Sequence, residues 1–124
     1  MSVRDYLHTR KRSFGYAFKG VAILFRSQAH AKIHLAATLM VISAGLFFEI
    51  SFPEWALLSL AITIVWVAEG VNTAIEFVVD LASPDHHVLA GKAKDVAAGA
   101  VLLASFGALA IAGFVLGPHF WYMF

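Results

Sequence analysis

The chain has 124 residues, 60% of them hydrophobic, and a mean hydropathy of +0.79, which is too apolar for a soluble domain of this size. The formal net charge is only +1, and the absence of cysteine excludes a disulfide framework, a thiolate metal site and a cysteine nucleophile. Composition therefore predicts a single all-α integral membrane domain over residues 1–124, and no nucleic-acid partner is expected.

The first predicted element is an amphipathic helix over about residues 1–30. Phe14, Phe18, Val21 and Phe25 recur at spacings of three and four residues, which places them on one face of a helix. The basic residues of the same segment are available to the polar side. Such a helix is typical of a segment that lies on a membrane surface. A soluble helix packed on a partner is the alternative.

Three apolar segments follow, at about residues 33–52, 55–82 and 96–117. Each can cross a hydrocarbon core of about 30 Å, which takes roughly 20 helical residues. The third segment is rich in alanine and glycine, and this pattern permits close packing of helices. Most Lys and Arg residues precede the first segment, so the N-terminus and the region of Lys92 and Lys94 are predicted to be cytoplasmic.

The second span contains four polar residues: Glu69, Asn72, Glu76 and Asp80. At 100° per residue they point to about 0°, 300°, 340° and 20°, so they form one stripe along the helix. Ionisable residues inside a membrane are costly, and they usually face a bundle interior or a cavity where they serve a function. A purely structural role would explain one Asn, but it explains three acids poorly.

The residues of this stripe are predicted to lie at different depths. Counted from Trp55, Glu69 is about 21 Å along the helix, roughly two-thirds of the way through the hydrocarbon core. Glu69 is therefore the most desolvated acid and the candidate general base, and Asn72 is expected to orient it through a hydrogen bond. Glu76 lies about 10 Å further, where water, metal ions and phosphate can reach it. Asp80 is expected at or beyond the membrane boundary.

A second polar group, Lys94 and Asp95, precedes the third span. Lys94 offers a compact positive charge to phosphate oxygens, and free backbone N–H groups at the start of a helix favour an anion. Taken alone, the pair is an ordinary positive flank of a membrane helix. Because Glu76 and Asp80 are expected nearby, we predict that all four belong to one site. The paired histidines are expected to face the interface or a nucleotide rather than zinc: His30, His34, His86 and His87.

Together, these residues resemble the signature of the prokaryotic diacylglycerol kinase and undecaprenol kinase family. The resemblance rests on Glu69-x-x-Asn72-Thr-Ala-Ile-Glu76-x-x-x-Asp80 and His87-x-Leu89-Ala-Gly-Lys-Ala93-Lys94-Asp95, with further similarity at Ser13–Gly20 and Lys32–His34. It extends from about residue 13 to 116. It implies a homotrimer in the bacterial inner membrane, each protomer with one surface helix and three spans. The implied reaction transfers the γ-phosphoryl group of ATP to a lipid hydroxyl at the cytoplasmic face.

The resemblance also implies roles for individual residues. Glu69 acts as the general base on the lipid hydroxyl and, with Asn72, contacts that substrate. Glu76 binds the Mg²⁺ that bridges the ATP phosphates, while Asn72 and Asp80 support the site. Nucleotide contacts are implied for Tyr16, Gln28, Glu76, Asp85, His86, His87, Lys94 and Asp95. Gln28 stands where the family has a second metal-binding glutamate, and its amide carbonyl can bind a metal ion but brings no charge.

Undecaprenol is favoured over diacylglycerol as the acceptor, because Asn72–Glu76 and Ala93–Leu102 are more similar to the undecaprenol kinase branch. Two alternative functions, from other classes of protein, are also consistent with the sequence. A small proton-coupled transporter would also place a carboxylate deep in the membrane, although it does not require the acids and the lysine gathered at one end. The other is a non-catalytic membrane scaffold that packs through its alanine- and glycine-rich face.

Overall fold

The computed structural model describes residues 2–27 and 29–123, and this part of the chain forms four helices. They are α1 over Val3–Ser27, α2 over Ala29–Phe47, α3 over Phe52–Ala82 and α4 over Val88–Met123. No strand occurs within these ranges. The last three helices are each long and apolar enough to cross a membrane. The predicted all-α class, with an N-terminal helix and three candidate spans, is confirmed.

The turn between α2 and α3 makes the first apolar helix shorter than predicted. α2 ends at Phe47, whereas the predicted span continued to residue 52. Glu49 adopts a left-handed backbone conformation with φ of 50°, which ends the helix, and the Ile50 N–H then bonds back to the Gly45 carbonyl at 3.2 Å. The residues around Glu49 are apolar, so hydropathy did not reveal this break.

Ser51 and Glu54 define the start of α3. The Glu54 carboxylate accepts hydrogen bonds from the Ser51 N–H at 2.8 Å and from the Ser51 hydroxyl at 2.7 Å. Pro53 stands in the first helical turn, where its missing N–H removes no intrahelical bond. These contacts start α3 at Phe52, a few residues before the predicted span.

The hydrophobic core lies at one end of the bundle, which we call the turn end because it contains the turn between α2 and α3. Its buried centre consists of apolar side chains from α3, α4 and this turn: Ile50, Leu58, Val115 and Leu116. The Phe48 ring stacks on His119 with centroids 5.7 Å apart, and His119 Nε2 lies 2.8 Å from Glu54 Oε1. The turn end is therefore closed by both apolar and polar contacts.

At the opposite end, which we call the loop end, residues 83–87 connect α3 to α4. Asp80 and Lys94 form an ion pair between the two helices. The N–H of Leu89 donates to Nδ1 of His87 at 3.1 Å, so the His87 side chain caps the first turn of α4. α4 begins at Val88, whereas the predicted span began at about residue 96, because the polar segment before that span is helical too.

α1 contacts the other helices only near its C-terminal end, where the Phe25 ring lies 4.7 Å from the Trp66 ring. Every residue from Ser2 to Ile23 is exposed in the protomer, including apolar Phe14 and Phe18. An unpacked apolar face agrees with a helix that lies on a membrane surface. The surface position of α1 stays a prediction.

Candidate functional site

A cavity of about 240 Å³ lies between α2, α3 and α4 in the half of the bundle nearer the loop end. Three residues of the predicted stripe line it: Glu69, Asn72 and Glu76. α2 contributes His30 and His34, and α4 contributes Ser105 together with apolar side chains. The helical spacing of the stripe therefore brings these three residues to one cavity, as expected for residues on a single face of a helix.

Glu69 is the most deeply buried acid of the described chain, with 1% of the residue exposed. Its Oε2 lies 3.5 Å from Nε2 of His34, while its Oε1 is buried and has no hydrogen-bond partner among the described residues. A buried carboxylate oxygen without a partner is costly. This oxygen is therefore available to accept a proton or a hydrogen bond from a ligand.

Asn72 contacts Glu76 rather than Glu69. Its Nδ2 donates to Oε1 of Glu76 at 3.2 Å, and its own Oδ1 is buried without a partner in residues 2–27 and 29–123. The predicted hydrogen bond between Asn72 and Glu69 is wrong. Helical side chains lean toward the N-terminus, so Glu76 reaches back over Asn72, while Glu69 turns toward α2. Asn72 thus orients Glu76, while its amide oxygen remains a buried acceptor without a partner in the described chain.

Two residues outside the predicted set, Trp66 and Thr38, support this region through contacts between α2 and α3. The Trp66 indole N–H donates to the Thr38 hydroxyl at 3.1 Å, and the Trp66 ring makes a T-shaped contact with the His34 ring, with centroids 6.2 Å apart. Trp66 lies three residues before Glu69, so helical periodicity alone places it on the same side of α3. Neither Trp66 nor Thr38 could be assigned to the site from the sequence, because the two residues lie on different helices and their contact depends on how α2 and α3 pack.

The ion pair of Lys94 and Asp80 lies beyond the cavity, at the loop end. The two side chains are 40% and 64% exposed, so the pair contributes little to stability but holds the ammonium group beside the end of α3. Lys94 and Asp95 lie in the second turn of α4. The prediction that a helix start lies directly beside them is wrong, because that start is at Val88.

The remaining predicted nucleotide contacts are less tightly grouped. Asp85, His86 and His87 lie in the exposed loop, and the Asp85 carbonyl accepts a hydrogen bond from Ser83 at 3.0 Å. Tyr16 is exposed on α1, and its described ring contact is with the Lys19 ammonium at 5.8 Å. No hydrogen bond, ion pair or ring contact of the described residues joins Tyr16 to the cavity. Gln28 lies outside the described residues.

The side chains around the cavity that could bind a metal ion are suited to one that is already coordinated by a substrate. Over the described ranges, no three His, Asp or Glu side chains are close enough to hold a metal ion by themselves. Mg²⁺ bound with a nucleotide needs only one or two protein carboxylates, since phosphates and water supply its other ligands. Glu76 is partly buried at the cavity and is such a carboxylate. The residues present therefore fit a magnesium–nucleotide complex better than a resident metal.

A second, apolar cavity of about 300 Å³ continues from the first toward the turn end. The two cavities share Ile33, His34 and Ser105. The lining of the second continues along apolar side chains of the three long helices: Ala37, Val41, Ile62, Val65, Ala108, Leu109 and Ala112. The combined space is polar near Glu69 and apolar beyond it. This polarity fits an amphiphilic molecule with one polar end.

Known proteins resemble this chain over most of its length. The family model for prokaryotic diacylglycerol kinase matches residues 15–116. A diacylglycerol kinase of Synechocystis sp. is 41% identical over 107 residues, which cover 86% of this chain and 61% of that protein. An undecaprenol kinase of Bacillus subtilis is 40% identical over 98 residues, covering 79% of this chain and 80% of the relative. A diacylglycerol kinase of Escherichia coli K12 is 29% identical over 109 residues, covering 88% and 89%.

The chain thus spans less than two thirds of the Synechocystis relative and about four fifths or more of the other two. All three relatives are lipid kinases by name, so the resemblance inferred from the sequence motifs is confirmed. The matched region includes α2, α3 and α4 as far as residue 116, and so it contains every residue that lines the cavity beside Glu69. The chain belongs to the prokaryotic diacylglycerol kinase family, a family of membrane lipid kinases.

Proposed function

We propose that this protein transfers the γ-phosphoryl group of ATP to the hydroxyl group of a membrane lipid. The observation that carries the proposal is the junction of the two cavities at His34 and Ser105, beside the buried Glu69 carboxylate. An amphiphilic alcohol fits this junction with its hydroxyl at Glu69 and its chain in the apolar cavity. A scaffold that packs through small residues gives no reason for a buried, unpartnered carboxylate oxygen.

Glu69 acts as the general base in this proposal. Its Oε1 accepts the proton of the lipid hydroxyl while the hydroxyl oxygen forms a bond to the γ-phosphorus. The bond from that phosphorus to the oxygen bridging the β- and γ-phosphates breaks, and ADP leaves with the electron pair. Phosphoryl transfer depends mainly on positioning and on neutralising charge, so a protein with few catalytic side chains is adequate for it.

The nucleotide is proposed to bind at the loop end. Lys94, held by Asp80, offers its ammonium group to the phosphates. The other proposed contacts are Tyr16, Gln28, Asp85, His86, His87 and Asp95. Glu76, oriented by Asn72, is the proposed protein ligand of Mg²⁺, with Gln28 as a second candidate. The bound metal ion would neutralise phosphate charge during transfer.

Undecaprenol is the proposed acceptor, with diacylglycerol as the alternative. The motif similarity to the undecaprenol kinase branch supports this choice. The apolar cavity also reaches from Ser105 to Ala112, about 10 Å along α4, which gives room for a chain extending toward the turn end. The named relatives include both activities at nearly equal identity, so a direct comparison of the two lipids is required.

We further propose a homotrimer in the bacterial inner membrane with a cytoplasmic N-terminus. A groove with a volume of about 630 Å³ lies on the concave surface between α3 and α4, and it supports assembly of the protomers. Small side chains line much of this surface: Ala68, Ala93, Ala97 and Ala100. Small residues let a neighbouring helix approach closely in a membrane. The basic α1 and the lysines near the loop end support the cytoplasmic placement of both.

The test is phosphate transfer from ATP to undecaprenol and to diacylglycerol in mixed micelles containing Mg²⁺. We expect Glu69→Gln to lower kcat by about 10²- to 10⁴-fold, since the base is lost while the side-chain volume is kept. Glu49→Gln is the matched control, because Glu49 is exposed at the turn end, and it should keep wild-type turnover. Wild-type protein that phosphorylates neither lipid would overturn the proposal.

A further inference from the structure

We propose that His34 is a positioning residue for Glu69, a role that rests on the proposed function. In this arrangement the Nε2–H of His34 donates to Oε2 of Glu69. The carboxylate is thereby held in the orientation that presents Oε1 to the cavity. Nothing else in the described chain contacts the Glu69 carboxylate through a hydrogen bond or an ion pair.

The geometry of the two side chains carries the inference. Nε2 and Oε2 lie 3.5 Å apart, and the side chains are 17% and 1% exposed, so little water reaches the contact. A formed N–H···O bond is about 2.9 Å long. Catalytic hydrogen bonds are often long in the ligand-free state and tighten when the substrate is bound. Binding of a hydroxyl to Oε1 would complete the pairing of both carboxylate oxygens.

His34 is itself held in place by its contact with Trp66. Its ring makes a T-shaped contact with Trp66 at an interplanar angle of 70°, and the Trp66 indole is fixed by its bond to Thr38, one turn further along α2. The Phe25 ring of α1 packs on Trp66 as well. The imidazole therefore belongs to a braced cluster joining three helices, which suits a group that must hold another side chain at a fixed angle.

A polar side chain in an apolar membrane helix carries a free-energy cost, and this cost also indicates that His34 has a function. His34 lies in a helix long and apolar enough to cross a membrane, and such polar residues are usually kept where they meet a partner or a cavity. His34 does both, because it contacts Glu69 and lines both cavities. It lies at the point where the polar end of an amphiphile would meet its apolar chain.

Two substitutions separate this role from a structural one. His34→Leu removes the donor but keeps an apolar span, so membrane insertion is not impaired. We expect it to lower kcat by up to about 100-fold, as a misplaced reacting group does, with the KM for ATP unchanged. His34→Gln retains an N–H donor on a side chain of similar reach. We expect it to restore kcat to within a few-fold of wild type.

A double variant tests whether His34 acts through Glu69. Added to Glu69→Gln, the His34→Leu change should cause no further loss of the residual turnover, because the group it positions is already gone. His119→Leu is the matched control, since His119 makes the same kind of histidine–glutamate contact with Glu54 at the turn end. It should leave kcat unchanged. Helix content measured by circular dichroism confirms that each variant is folded.

The results of these experiments separate failure of the proposed lipid kinase function from failure of the proposed role of His34. Wild-type protein without turnover on either lipid overturns the proposed function and this inference with it. Active wild-type protein together with an undiminished kcat in His34→Leu overturns the inference alone. Equal losses in the Leu and Gln variants, or a further loss in the Glu69→Gln background, also contradict positioning of Glu69 by His34.

Discussion

At the scale of single residues, Lys94 shows how a charge is placed at the end of a membrane helix. Its ammonium group is paired with Asp80 across the loop end, although both side chains remain substantially exposed. An exposed pair of this kind adds little to stability. The ion pair holds the flexible Lys94 side chain at one position. From there the ammonium group can bind a phosphate oxygen while it keeps part of its contact with Asp80.

We therefore expect Lys94→Gln to raise the KM for ATP by about tenfold or more, because one charge-assisted contact to phosphate is lost. Steady-state kinetics at varied ATP concentration measure the change. Lys92→Gln is the matched control, since Lys92 lies two residues earlier and lines the concave surface between α3 and α4 rather than pairing with Asp80. A similar rise in both variants would indicate a general effect of positive charge rather than a specific contact.

The sequence predicted which α3 residues line the candidate site, but it did not predict their side-chain contacts. Periodicity placed Glu69, Asn72 and Glu76 on one face, and the structure brings all three to one cavity. Periodicity could not give the partner of Glu69, because His34 lies on α2 and nothing in either segment fixes how the two helices rotate about their axes. The pairing of Asn72 with Glu76 depended on side-chain direction, which spacing alone leaves open.

At the scale of helices, the turn end depends on a close approach between α2 and α3. A Cβ atom on Gly45 would lie 2.7 Å from the tip of the Trp55 ring and 3.1 Å from the Ile50 side chain. The absence of a side chain at this position lets the Trp55 ring cover the end of α2. Gly45 is therefore a packing residue of the turn end rather than a flexible point.

Substituting Gly45 by Ala should lower the free energy of unfolding by about 1–3 kcal/mol, because the Trp55 ring must shift out of a packed position. Thermal unfolding in detergent micelles, followed by circular dichroism, measures this loss. Gly113→Ala is the control, since a Cβ atom there would meet nothing within 4 Å, and it should hold or raise the unfolding temperature. Unchanged stability of Gly45→Ala would contradict the packing role.

Helix existence was predictable at this scale, and helix ends were not. Hydropathy reports where a chain can be buried in lipid, whereas a helix continues as long as its backbone hydrogen bonds do. α4 therefore extends back to Val88 through the polar segment that contains Lys94. α2 stops at Phe47 inside an apolar segment, because Glu49 leaves the helical conformation.

At the scale of the whole molecule, the protomer exposes far more surface than a compact protein does. Its accessible area is 9393 Å², against about 6,500 Å² for a compact chain of this mass. Much of the excess is apolar, including Leu103 and Phe106 on α4. Lipid and neighbouring protomers are the surroundings that can cover such a surface in a membrane protein.

If three copies assemble through the small-residue surface of α3 and α4, a larger side chain there should weaken assembly. We expect Ala100→Leu to shift the particle from a trimer toward the monomer, measured by light scattering in detergent after correction for bound detergent. Leu103→Phe, on an exposed part of the same helix, should keep the wild-type state. A trimer that persists in Ala100→Leu would exclude this surface as the contact between copies.

The one-sided placement of the core has a consequence for motion. The apolar cluster that joins the three long helices lies at the turn end, where Leu58 is fully buried, and among the described residues no such apolar cluster lies near Glu76. Regions with few buried apolar contacts open at lower free-energy cost than a packed core. We therefore expect α2 to move away from the α3–α4 pair beside the cavity, with the turn at the end of α2 as the hinge, so that a bulky headgroup can enter while the fold stays intact.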